Sequence, residues 1–72
     1  MSNMEAQFVY GFNLALNKLH AAYSSMDLNE TVSATELVVW YIEEERGQRF
    51  GMWSKYETWC VENAFPCTIP SP

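Results

Sequence analysis

From Phe8 to Tyr23 the large apolar residues recur at steps of three and four: Phe8, Phe12, Leu16, Leu19 and Tyr23. That spacing places them along one face of an α-helix and does not fit the two-residue alternation of a half-buried strand. Val9, Ala15, Ala22 and Met26 widen the stripe, while Gln7, Asn13, Asn17 and Lys18 lie off it, as an amphipathic helix requires. A helix over about 3–25 is therefore predicted. Gly11 inside it costs about 1 kcal/mol relative to alanine, so it is expected to mark close packing against another backbone. A chain of 72 residues then has room for one core and one domain, since a chain this short buries only about 60% of its unfolded surface.

The remainder also reads as helical. Ser2 with Glu5, Ser33 with Glu36 and Ser54 with Glu57 fit the capping box, in which the serine oxygen accepts an amide and the glutamate reaches back to the cap. A second helix is predicted over about 34–46, with Gly47 as its C′ residue. The run "LVVWYI" has good β propensity, which keeps a strand over 37–42 as the alternative. A third helix is predicted over about 55–64, stopped by Pro66, which lacks an amide donor and restricts Phe65 before it. "SSMDLNETVS" reads as a loop with Met26 and Leu28 tucked inward, and residues 65–72 as an exposed, irregular tail. The expected fold class is all-α, a small three-helix domain with a short irregular C-terminal tail.

Three Trp, four Tyr and four Phe supply enough buried area per residue for such a core without a metal or several staples. Trp40 and Trp59 are expected in the core and Trp53 is expected to be the most exposed aromatic. Nine acids against four bases give a net charge of −5, which opposes binding to polyanions and suits a basic partner. The N-terminal residues show no secretory pattern, and no apolar stretch approaches the ~18 residues of a membrane span, so a cytoplasmic location without membrane contact is expected. Cys60 and Cys67 are expected to be free thiols, a small disulfide loop being the alternative.

No pattern announces catalysis. Two cysteines and the single histidine, His20, fall short of a structural zinc site, and there is no P-loop, dinucleotide fingerprint or HExxH. Cys60 is expected to pack and His20 to lie at a surface or edge. Neither a cofactor nor a metal is expected, and the chain is read as a non-enzyme.

The stretch "ERGQRFGMWSKYETW" holds three of the four cations, Arg46, Arg49 and Lys55, among Phe50, Trp53, Tyr56 and Trp59. Basic and aromatic residues together suit single-stranded nucleic acid, but Glu43, Glu44, Glu45, Glu57 and Glu62 cancel the field, so direct nucleic-acid binding is not expected. Arg, Trp and Tyr are also the residues that dominate protein-interface hot spots. Arg46, Arg49, Phe50 and Trp53 are therefore the expected anchors for a protein partner, with "GQRFG" as a tight loop presenting Gln48, Arg49 and Phe50 outward. Glu43, Glu44 and Glu45 would steer. Three successive glutamates fan around a helix by ~100° per residue and cannot imitate regular phosphate rows. Acids at a helix C-terminus are unfavourable with its dipole, which suggests that they serve a basic partner or a following helix start.

In size, acidity, aromatic content and lack of catalytic groups the chain resembles small phage-encoded host-takeover proteins, among them the RNA-polymerase-binding transcription regulators of lytic Xanthomonas phages. The resemblance implies a monomeric, stoichiometric ligand of host RNA polymerase that inhibits or redirects transcription, and it assigns no role to any residue. The competing class is an anti-defence or DNA-mimic inhibitor of a host nucleic-acid-binding complex.

Overall fold

A computed structural model of the chain describes residues 3–72. The described residues form four helices, α1 (Asn3–Ser24), α2 (Leu28–Glu43), α3 (Glu45–Arg49) and α4 (Met52–Glu62), and no strand. The all-α class holds, but the count is four helices rather than three. Residues 37–42 are helical, so the strand alternative falls. The proposed Ser2 cap lies outside the described residues.

The helix α1 follows its predicted span almost to the residue, and Phe8, Phe12, Ala15, Leu16, Leu19 and Ala22 bury its apolar face. It ends in a Schellman motif: the Asp27 N–H donates to the Ala22 carbonyl at 3.0 Å and the Met26 N–H to Tyr23 at 3.1 Å. Met26 occupies the left-handed position, φ 59°, where glycine is usual. The expectation that Met26 and Leu28 tuck inward is wrong: they are 85% and 78% exposed, because the turn swings both away from the core.

The segment read as a loop belongs largely to α2, which begins a turn and a half before Ser33. Asp27 is the N-cap, its carboxylate accepting from the Glu30 N–H at 3.1 Å. Thr31 and Thr35 each turn the hydroxyl back onto a carbonyl one turn earlier, at 2.7 Å, so the polar side chains that compete with helices elsewhere are satisfied within this one. Asp27 and Glu30 have the same spacing as the serine–glutamate pairs and were the operative start signal. Ser33 is exposed inside the helix.

Gly47 is not a helix terminator. The chain turns at Glu44, whose extended backbone (φ −56°, ψ 147°) closes α2 and opens α3. Gly47 lies buried within α3, where a Cβ would collide with the Tyr41 carbonyl oxygen and sit 2.8 Å from its carbon. Glycine is required there so that α3 can close against α2. Gly11 also marks a close approach, but to the Tyr41 side chain and not to a backbone. The expected "GQRFG" loop is thus a short helix, with Gly51 in the left-handed conformation (φ 70°) as N-cap of α4. This starts α4 at Met52, ahead of Ser54.

Helices α1 and α2 run antiparallel, as the short turn and the pairing of Phe8 with Trp40 and Tyr41 require. Their combined face is covered by α4, which contributes Met52, Tyr56 and Cys60 to a core shared with Phe12, Leu19, Val38 and Ile42. The long first helix sets the shape, 40 × 19 × 19 Å. Residues 65–72 are irregular and, apart from Phe65 and Ile69, exposed, as expected, but they are tied down to the helices. Ile69 is buried in the core, the Thr68 N–H donates to the Tyr56 hydroxyl at 3.1 Å, and Phe65 packs on Trp59 and Tyr23 with ring centroids 5.0 and 4.7 Å apart.

Candidate functional site

On α2 the buried positions recur every four residues at Ala34, Val38 and Ile42. Trp40 stands two residues from both Val38 and Ile42, about 200° round the helix from each, and is therefore turned from the core. It is 48% exposed, contrary to the expectation that it packs inside. Trp59 is half-buried, flanked by Tyr56, His20 and Phe65.

Trp40 rests on an ordered aromatic bed. Its ring centroid lies 4.9 Å from that of Tyr41, edge-on, and 6.2 Å from that of Phe8. Phe8 in turn meets Tyr41 at 4.9 Å and Phe50 at 5.8 Å, both edge-to-face. Such geometry adds to area burial and restricts the rings to a few arrangements. The Arg46 guanidinium carbon lies 4.9 Å over the Phe8 ring and its Nε donates to Glu44 Oε1 at 3.0 Å. The same carboxylate accepts from the Arg46 backbone N–H, and these contacts hold Glu44 below the usual carboxylate range. Arg49 reaches over Phe50 at 5.9 Å and stays exposed.

Glu44, Arg46, Arg49 and Phe50 thus meet at one corner, where α1 begins, α2 ends and α3 crosses. Glu43 and Glu45 are exposed beside it. Glu44 and Glu45 stand at the start of α3, where acids are favourable with the dipole, which accounts for the apparent misfit of acids at the end of α2. Phe50 is half-buried on Phe8 and is not displayed outward.

Trp53 belongs elsewhere. It is half-buried rather than the most exposed aromatic, packs on the core from α4, and donates its indole N–H to the Ile69 carbonyl at 3.0 Å. Its role is to fasten the tail. The residues missed at the corner are Phe8, Trp40 and Tyr41. The four-residue repeat of Ala34, Val38 and Ile42 was the signal that put Trp40 outside.

At the opposite end Tyr23, Met26, Leu28 and Thr31 line an open, mostly apolar cleft, but no cation joins them. Cys60 is buried, Cys67 is exposed and both are free, while the His20 ring packs edge-on against Trp59. No helix is long and apolar enough to cross a membrane among the described residues. Comparison of the chain with protein-family models, with curated proteins and with solved structures found no match.

Proposed function

We propose that this protein is a non-catalytic regulator that works by occupying a surface of a larger protein assembly, with bacterial RNA polymerase as its partner. The observation that carries the reading is the half-exposed Trp40, held by Phe8 and Tyr41 beside Arg46 and Arg49. An aromatic already fixed by its neighbours loses little rotamer entropy on binding, and Trp, Tyr and Arg are the residues on which interface energy concentrates. The partner follows from the resemblance to phage host-takeover proteins and from the charge. A ligand of net charge −5 is drawn toward the basic nucleic-acid channels of a polymerase, which raises the association rate.

DNA mimicry is less well supported. Glu44 is tied to Arg46, and the exposed Arg49 lies on the short helix that Glu45 opens, so the carboxylates form no unbroken acidic array.

The test is titration of purified bacterial RNA polymerase against the labelled protein, with Trp40→Ala and Arg49→Ala alongside. Trp40→Ala is expected to weaken binding about tenfold or more and Arg49→Ala by less, with unchanged helical circular dichroism. No binding of the parent protein would exclude this partner. Full affinity in both folded variants would exclude the corner as its anchor.

A further inference from the structure

Helix α4 closes in a second Schellman turn, the Phe65 N–H donating to the Cys60 carbonyl at 2.9 Å with Ala64 in the left-handed position, φ 51°. Beyond it the tail returns to the helix, where the Thr68 N–H donates to the Tyr56 hydroxyl at 3.1 Å. Tyr56 and Cys60 are four residues apart on one buried face of α4. Cys67, immediately before Thr68, is brought by that hydrogen bond to the Tyr56 end of the same face, one helical turn from Cys60. Cys60 is buried and Cys67 is exposed. Burial pushes the Cys60 thiol up, the Tyr56 hydroxyl opposes this, and Cys67 adds to it. A reagent in solution therefore meets Cys67 first.

We propose that Cys60 and Cys67 are a paired-thiol modification site that takes a low-molecular-weight disulfide, such as glutathione disulfide, and closes into an intramolecular bridge clamping the tail onto α4. The Cys67 thiol gives its proton to solvent and its sulfur attacks one sulfur of the reagent. The reagent's S–S bond breaks and one glutathione leaves as the thiolate. Cys60, released of its proton, then attacks the Cys67 sulfur and expels the second glutathione, and both leaving thiolates are reprotonated by solvent. Two protein thiols are oxidised to one disulfide and one glutathione disulfide is reduced to two thiols. The bridge joins α4 to a segment already tied to it through Thr68 and Tyr56. It would also secure Ile69, and with it the carbonyl that Trp53 grips.

The full chain is incubated with glutathione disulfide in native buffer, alkylated and weighed, with the bridge mapped on non-reduced peptides. The expected product is monomeric, lighter by two hydrogens, free of glutathione, without an alkylatable thiol, and melts above the reduced protein. Cys60→Ser is expected to stop at a glutathione adduct on Cys67, and Cys67→Ser to react far more slowly than the parent. Arrest of the parent protein at the Cys67 adduct, a Cys67-linked dimer, or bridge closure faster in urea than in native buffer would each overturn the proposal.

Discussion

Trp40 and Trp53 stand on either side of α3 in the chain and are used in opposite ways. Trp53 spends its indole N–H on the Ile69 carbonyl and is covered by the returning tail. Trp40 packs against Phe8 and Tyr41 and leaves about half of itself in solvent. Residue type does not separate an aromatic that the fold covers from one that it leaves open to solvent. What separates them is whether a later part of the chain comes back to cover the ring.

The largest effect should come from breaking the junction that keeps the two regions apart. Gly47→Ala drives a Cβ into the Tyr41 carbonyl, and backbone cannot yield as a side-chain tip can. A loss of about 3 kcal/mol is expected from urea unfolding, and a loss below about 1 kcal/mol would mean that α3 is not tightly closed on α2. Trp53→Ala comes next, at about 2 kcal/mol for a half-buried ring. It should be accompanied by faster amide exchange at Thr68. Trp40→Ala should cost about 1 kcal/mol or less while causing the greater loss of partner binding. Equal stability costs for the two tryptophans would erase the contrast between them.

The tail region also carries the pH response. Burial raises the Tyr56 hydroxyl above its ordinary 10.0, and burial raises the Cys60 thiol above its ordinary 9.0. Both folded values lie above the unfolded ones. The stability from keeping these groups neutral is therefore complete below the unfolded values and is lost as pH climbs through the folded ones. Unfolding midpoints should fall in alkaline buffer, and Tyr56→Phe should reduce that fall. A midpoint that does not move on the alkaline side would contradict the buried placement of both groups.

The smallest effect tests the turn far from both tryptophans. Met26 holds a left-handed conformation without being glycine, so Met26→Gly should stabilise by about 0.5–1 kcal/mol through relief of strain, less the entropy glycine adds to the unfolded chain. A loss of stability would show that the Met26 side chain makes contacts that outweigh the strain.

Much of α1 was legible because Phe8, Phe12, Leu16 and Leu19 report a helical face through spacing alone. The start of α2 is equally written in the sequence, in Asp27 and Glu30, but the polar run around them also describes a loop, which makes Ser33 look like the start. The candidate corner was half legible. Arg46, Arg49, Phe50 and the glutamates are contiguous enough to be found by inspection, whereas Phe8 is brought to them from the first helix across more than thirty residues.

Helical identity follows from periodicity and capping, which act within a few residues and can be read along the chain. The outward side of Trp40 follows from the repeat of Ala34, Val38 and Ile42 on its own helix, but the use of Gly47 and the covering of Trp53 depend on which surfaces meet when α3 folds against α2 and the tail returns over α4. Two of three glycines, Gly11 and Gly47, serve close approach to Tyr41, which stands far from Gly11 in sequence. Those outcomes are set by long-range packing, where a single carbonyl or a single returning isoleucine decides the environment of a side chain whose local sequence permits either.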